Sequence, residues 1–133
     1  GGSAMPLTAE NIGERRQYIK MEGNIVFKHA VRSMYEISEE TLEKAGLTHS
    51  DIAWVVPHQA NMRIITAIAE KLETPMERVV TNLERYGNTT AATIPLALNE
   101  AVKDGRIKEG DYVLLVAFGA GLTWGASVIQ WGG

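Results

Sequence analysis

The sequence predicts an α/β protein in which a mixed, mostly parallel sheet is covered by helices, in the order β-α-β-α-β-α-β-β. Continuous apolar, β-prone runs are typical of strands buried on both faces. Between these runs lie amphipathic stretches whose apolar residues recur every three or four positions, and glycines follow them. This alternation requires right-handed crossovers, and the last two strands form a hairpin-like pair.

The composition is that of a globular protein with one core. The chain has 133 residues, of which 45% are hydrophobic and 22% are charged. Residues 1–15 are predicted to be a cloning-tag remnant or linker and a loop, and residues 16–133 to be the folded domain. The net charge of −3, without a basic run, argues against nucleic acid as a partner. Because no membrane span or secretion signal is visible, we expect a cytoplasmic protein with no membrane partner.

The first part of the chain predicts two strands and two helices. The alternating residues 18–21 predict the first strand, and Asn24 is the expected cap of a long helix that ends at Gly46. The continuous apolar residues 53–57 predict a strand covered on both faces. A second amphipathic helix is expected to begin near Ala60.

The rest of the chain predicts a helical turn, a third helix and three strands. Residues 74–77 have a capping-box spacing with proline at the first helical position, which predicts the turn. The Ala/Thr-rich helix should end at Gly105 and can accept Pro95 only in its first turn. The remaining strands are predicted at residues 79–81, 112–118 and 123–131.

Three loops that follow predicted strands carry the candidate chemistry, because ligands of open α/β sheets bind at the carboxyl ends of strands. His58 lies just before a helix, whose dipole would favour a neutral imidazole able to polarise a carbonyl. Asn88 precedes the third helix, and its amide could supply a second donor at the same point. The bend at residues 119–121 could present a backbone N–H to a ligand oxygen.

Each loop also has a purely structural interpretation. His58 could cap its helix, Asn88 could be an ordinary N-cap, and the glycine bend could be a tight connection between strands. The sequence contains no cysteine, no metal-ligand pair of histidines and no nucleophile elbow around a serine. The chain therefore offers stabilising groups without a nucleophile.

At these loops the sequence resembles the β-ketoacyl-acyl-carrier-protein synthase III family of thiolase-like condensing enzymes. The similar stretches are VVPHQAN at residues 55–61, YGNTTAA at 86–92 and AFGAGLTWG at 117–125. The resemblance extends over residues 18–131. Members of the family contain two thiolase-like halves, and the active-site cysteine belongs to the first. The resemblance therefore implies that this chain is a C-terminal half and that an N-terminal half supplies the cysteine.

The resemblance implies an acyltransferase that initiates fatty-acid synthesis. The reaction is the decarboxylative Claisen condensation of acetyl-CoA, or a similar acyl-CoA, with malonyl-acyl-carrier protein, and no cofactor is expected. His58 and Asn88 would be members of a Cys-His-Asn triad that donates hydrogen bonds to the malonyl thioester oxygen. The backbone N–H of Ala120 would hold the acyl thioester oxyanion. The full enzyme would be a homodimer, and this chain alone would be inactive because it lacks the cysteine.

The resemblance also implies two sets of binding residues. Three cations, Lys28, Arg63 and Lys71, match or lie near positions that receive the acidic carrier protein, although exposed cations alone indicate only a solvated surface. Two other functions stay open: a non-catalytic CoA-binding, carrier-protein-binding or assembly subunit, and a polyketide or quinolone starter-condensing relative. The expected CoA or phosphopantetheine tunnel residues are Gly23, Asn24, Phe27 (which could equally be a core residue), Ala60 and Asn61.

Overall fold

The fold is described by a computed structural model that covers residues 3–18 and 21–132. Its sheet has three strands, β1 (Ile52–Pro57), β2 (Tyr112–Gly119) and β3 (Thr123–Gln130), in the order β1-β2-β3. Strands β1 and β2 are parallel, whereas β2 and β3 are antiparallel. The predicted α/β class with a mixed sheet and a closing hairpin is confirmed.

Helices cover both faces of this sheet, which explains why the strand sequences are continuously apolar. The neighbouring residues Val55 and Val56 of β1 are both buried, and they belong to different apolar clusters. Since successive side chains of a strand point to opposite faces, each face receives one of them. The first two helices pack with Val55, and the last packs with Val56. The helices are α1 (Gly23–Ala45), α2 (Met62–Lys71), α3 (Leu83–Tyr86) and α4 (Thr93–Lys103).

The predicted helix ends are correct where glycine decides them. Gly46 follows α1 with φ of 68°, a left-handed conformation that glycine adopts without steric cost. Pro95 lies in the first turn of α4, as its missing N–H requires. The predicted cap of α1 is wrong, because the backbone N–H groups of Ile25 and Val26 already donate to the Glu22 carbonyl. Asn24 therefore lies inside the first turn.

Two predicted strands differ from the structure. At residues 79–81 the chain makes a single parallel bridge between Val79 and Val55, because a 3-10 turn ends at Arg78 and α3 begins at Leu83. The β-prone residues are thus present, but the segment has room for one bridge and not for a strand. The predicted first strand falls partly on residues 19 and 20, which lie outside the described residues, while the flanking positions are not in a strand.

The segment before α1 contains turns and one short 3-10 helix, Ile12–Glu14. The predicted boundary between a linker at residues 1–15 and a domain at 16–133 stays a prediction. None of the helices in the described part of the chain is long and apolar enough to cross a membrane.

Candidate active site

An open cavity of about 1210 Å³ lies at the carboxyl ends of the parallel strands β1 and β2. Its lining includes His58, which follows β1, Asn88, from the turn before α4, and Ala120, which follows β2. The three loops singled out by the sequence therefore meet at one site. This is where an open α/β sheet is expected to bind a ligand.

His58 is fixed at the end of β1 by backbone and side-chain contacts. Its N–H donates to the Val116 carbonyl over 2.8 Å, which extends the β1–β2 pairing by one residue. Its imidazole is half-buried, and burial lowers the pKa of the ring below the ordinary value of 6.5. The ring is therefore neutral at physiological pH, the state that the sequence predicted, and burial is the cause that the structure shows.

The alternative that His58 caps α2 is wrong. The cap residue of α2 is Asn61, whose side-chain oxygen accepts the N–H of Ile64 over 3.0 Å. The imidazole instead faces α4, where its Nδ1 lies 2.5 Å from Oγ1 of Thr93. His58 thus connects the end of β1 to the start of α4, two segments that are 35 residues apart in the sequence.

Asn88 is held by the turn that carries it. Its Oδ1 accepts the backbone N–H of Thr90 over 3.0 Å, which directs the opposite, NH₂ side of the amide away from that turn. Asn88 is not the N-cap of α4, since Ala92 occupies that position. Thr90 adopts φ of 54°, a left-handed conformation that is strained for a β-branched residue. Such strain costs about 1–3 kcal/mol and is most often retained at functional sites.

Gln59, a residue without a role in the sequence-based prediction, joins the loop of His58 to Val80 and Asn82, which precede α3. Its fully buried side chain donates to the carbonyl oxygens of Pro57 and Val80, over 2.8 and 3.1 Å. Its oxygen accepts the N–H of Asn82 over 3.1 Å. No sequence signal marks Gln59, because both its burial and its partners appear only in the fold.

Glu100 of α4 fastens the short helix α3, which leads to Asn88. Its carboxylate accepts hydrogen bonds from Tyr86 Oη, Asn82 Nδ2 and an Arg85 guanidinium nitrogen, at 2.7, 3.0 and 2.7 Å. These donors, with Tyr86 first, lower the pKa of the Glu100 carboxyl. No local sequence pattern reveals this cluster, because Glu100 lies 14 to 18 residues beyond its three partners.

The β2–β3 turn presents Ala120 without backbone strain. The left-handed positions of the turn are Gly121, with φ of 79°, and Leu122, with φ of 53°. The Ala120 carbonyl accepts the hydroxyl of Thr123 over 3.2 Å, which closes the turn. On the two flanking strands, the rings of Phe118 and Trp124 stack with centroids 6.4 Å apart. Ala120 itself is not at a left-handed position, so its side chain is compatible with this turn.

The residues expected along a CoA or phosphopantetheine tunnel all line the same cavity. Phe27 lines it and also packs against the core beneath α1, so both of its interpretations describe the structure. The guanidinium of Arg63 lies 5.0 Å from the Phe27 ring centroid, a cation–π arrangement. The tunnel residues in the lining are Gly23, Asn24, Phe27, Ala60 and Asn61.

The three cations expected to receive a carrier protein do not all line the cavity. Arg63 lines the cavity, whereas Lys71 lies eight residues further along α2, or about 12 Å, and its ammonium lies 5.2 Å from the Tyr35 ring centroid. Lys28 is exposed on α1, beside Phe27 in the sequence. Of the three, only Arg63 lines the cavity.

Comparisons with known proteins agree with this arrangement. Residues 42–131 match the family model described as 3-Oxoacyl-[acyl-carrier-protein (ACP)] synthase III C terminal. A β-ketoacyl-[acyl-carrier-protein] synthase III of Roseiflexus sp. (strain RS-1) is 57% identical over 131 residues, which are 98% of this chain and 40% of the relative. The chain thus spans about 40% of the length of the curated relatives it matches.

Solved structures of similarly named proteins share the fold. The 3-oxoacyl-[acyl-carrier-protein] synthase III of Aquifex aeolicus VF5 superposes with a TM-score of 0.83 at 54% identity, over 86% of this chain and 37% of that one. The synthase III of Thermus thermophilus gives a TM-score of 0.83 at 62% identity, over 86% and 36% of the two chains. The predicted thiolase-like half is therefore confirmed as a fold.

Proposed function

We propose a function from one premise: the chain belongs to the 3-oxoacyl-[acyl-carrier-protein] synthase III family. Its function is to form one wall of the active site of a condensing enzyme, with an N-terminal half that carries the cysteine. The enzyme joins the acyl group of acetyl-CoA, or of a similar acyl-CoA, to malonyl-acyl-carrier protein. The observation that supports this proposal is that His58, Asn88 and Ala120, from three separate loops, line one cavity.

The reaction proceeds in two stages. In the first, the cysteine sulfur of the N-terminal half attacks the acyl-CoA thioester, a carbon–sulfur bond forms, and CoA leaves as the thiol. The backbone N–H of Ala120 donates to the oxyanion of the tetrahedral intermediate. No cofactor is required, because the thioesters themselves supply both reacting carbons.

In the second stage the malonyl thioester loses CO₂, and the electron pair of the broken carbon–carbon bond passes to the thioester oxygen. The imidazole of His58 and the amide of Asn88 donate hydrogen bonds to this enolate oxygen. The enolate carbon then attacks the acyl-cysteine, and the thiolate leaves. Each oriented donor of this kind is worth about 10²–10³ in rate, since it meets charge that develops only in the transition state.

The burial of His58 suits this task. Since burial lowers the pKa of the imidazole, the ring is neutral at physiological pH and bears one N–H. Whether the imidazole can donate to the enolate oxygen then depends on which of its two nitrogens carries that hydrogen. Arg63 at the cavity wall, backed by the Phe27 ring, is suited to attract an acidic carrier protein.

Reconstitution with the matching N-terminal half tests the proposal. We expect the mixture, and neither half alone, to condense acetyl-CoA with malonyl-carrier protein, measured as release of free CoA thiol and of labelled CO₂. His58→Ala and Asn88→Ala should each lower kcat about 10²–10³-fold. The exposed residues His29 on α1 and Asn99 on α4 provide matched controls, His29→Ala and Asn99→Ala, which should leave kcat unchanged. Two folded halves that associate without turnover contradict the proposal.

One observation favours a second candidate function. The chain contains no cysteine, so on its own it can bind thioesters without processing them. A CoA-binding or carrier-protein-binding subunit would show calorimetric affinity for CoA or carrier protein, yet no activity in any reconstituted pair. A panel of acyl-CoA donors in the active mixture separates an acetyl-primed fatty-acid enzyme from a relative primed by other acyl chains.

A further inference from the structure

The hydroxyl of Thr93 lies between two possible acceptors. Thr93 is the first residue of α4 and is only 2% exposed. Its Oγ1 lies 2.5 Å from Nδ1 of His58 and 3.0 Å from the carbonyl oxygen of Thr90. A hydroxyl has one hydrogen, so it can donate to only one of them at a time. Which one it chooses decides where the hydrogen of the neutral imidazole lies.

Two features favour donation to the imidazole. The Thr90 carbonyl already accepts the backbone N–H of Thr93, so it does not need the hydroxyl to be satisfied. The contact of 2.5 Å also lies below the range of N–H donors to oxygen, about 2.7–3.2 Å, whereas O–H donors approach an oxygen acceptor as closely as about 2.5 Å. The shorter contact is therefore the one in which Thr93 donates and Nδ1 accepts.

We infer that Thr93 is a positioning residue that donates its hydroxyl to Nδ1 of His58 and thereby keeps the imidazole hydrogen on Nε2. With Nδ1 acting as acceptor, the other nitrogen becomes a donor on the cavity side of the ring. The opposite arrangement would leave Nε2 as a bare acceptor, which repels a developing enolate oxygen. The catalytic meaning of this inference rests on the proposed function, but the position of the hydrogen does not.

The same turn also orients the second proposed donor. Thr90 gives its backbone N–H to Asn88 Oδ1, and its carbonyl is held by the N–H of Thr93. One strained residue, with φ of 54°, thus connects the amide of Asn88 to the residue that holds His58. Because Thr93 is buried in the first turn of a helix, the two donors are aimed by a packed segment.

The position of the hydrogen can be read directly by NMR of the chain with ¹⁵N-labelled histidine, at a pH where His58 is neutral. We expect a pyridine-type resonance for Nδ1 and a pyrrole-type resonance for Nε2, assigned by their disappearance in His58→Gln. Thr93→Ser should retain this pattern. Thr93→Val, which keeps the shape and removes the hydroxyl, should shift both resonances toward the averaged values of a free imidazole. Thr41→Val removes a helical hydroxyl remote from His58 and should change nothing.

Two results would overturn the inference. One is a pyrrole-type Nδ1 in the unmodified chain, a result that does not depend on whether any variant folds. The other is a folded Thr93→Val chain whose His58 resonances equal those of the unmodified chain. In the reconstituted enzyme, Thr93→Val should lower kcat by roughly tenfold or more, with rescue by Thr93→Ser. An inactive mixture whose His58 shows the expected resonances refutes the proposed function and leaves this inference standing.

Discussion

The middle of β2 and the turn that follows it contain similar apolar side chains, but these side chains differ in their exposure to solvent. Leu114 in β2 is 1% exposed and lies between helices and sheet, whereas Leu122 in the β2–β3 turn is 52% exposed. Trp124, at the start of β3, is 51% exposed. The described residues thus complete the core beneath α1 and α2 but leave apolar side chains at the rim of the cavity exposed.

The largest expected effect on stability is the difference between substituting Leu114 and substituting Leu122. Leu114→Ala should lower the free energy of unfolding by about 2–5 kcal/mol, because it leaves a cavity in the close-packed core. Leu122→Ala removes the same atoms from an exposed position and should change it by less than about 0.5 kcal/mol. Urea denaturation followed by circular dichroism measures both. Equal losses for the two variants would mean that the rim is part of the folding core.

A second comparison uses two glutamines. Gln59→Ala should cost about 1–3 kcal/mol of unfolding free energy, because the N–H of Asn82 and two carbonyl groups lose their buried partner. It should also broaden the backbone amide resonance of Asn82, whose N–H donates to the Gln59 oxygen. Gln130→Ala, at an exposed position of β3, is the matched control and should be neutral. If both variants are neutral, Gln59 does not fasten the site to the sheet.

The exposed rim predicts self-association of the isolated chain. Met21, Met62, Leu122 and Trp124 line the cavity and are exposed, and covering one such side chain is worth about 1.5–3 kcal/mol. The double variant Leu122→Ser/Trp124→Ser should therefore raise the concentration at which dimers form by at least about tenfold, as measured by light scattering.

Ile12→Ser serves as the control, because Ile12 is also exposed but lies outside the cavity lining. It should leave the dimerisation concentration unchanged. A chain that stays monomeric at high concentration contradicts the prediction, and so does equal weakening by the rim and control variants.

Features of the fold that depend on neighbouring residues could be predicted from the sequence, and features that depend on distant residues could not. The end of α1 at Gly46 and the strand in residues 112–118 follow from local rules, because a left-handed glycine and a continuous apolar run depend on few distant residues. The strand predicted at residues 79–81 is wrong, since β-propensity does not specify how many partners a segment finds in the sheet.

The sequence predicted which loops meet at the cavity, but not the contacts and the burial that fix their side chains. His58 and Asn88 were found from their loops, whereas the contact between His58 and Thr93 joins positions 35 residues apart. The sequence predicted the neutral state of His58 from a helix dipole, whereas the cause visible in the fold is burial, which lowers the pKa of the ring. Burial depends on the packed fold, and no local pattern states it.

The smallest expected effect is the pH dependence that this burial causes. The pKa of His58 is lower in the folded chain than its ordinary value of 6.5, so the unfolded chain binds more protons as the pH falls below that value. The stability contributed by the neutral ring is present above pH 6.5 and decreases as the pH falls through the folded pKa. The carboxyl groups with lowered pKa, Asp51, Glu100 and Asp104, lose their stabilising charge only at lower pH, below about 4.5.

Urea denaturation between about pH 7.5 and pH 5 isolates the histidine, because the carboxylates stay charged over this range. We expect the unmodified chain to lose stability over this interval and His58→Gln to lose less, since glutamine cannot take up the proton. His29→Gln, at an exposed position of α1, should follow the unmodified chain. If His58→Gln keeps the full loss, the ring is not desolvated. Its pKa would then stay near the ordinary value of 6.5, and burial would not be what favours the neutral ring at the cavity.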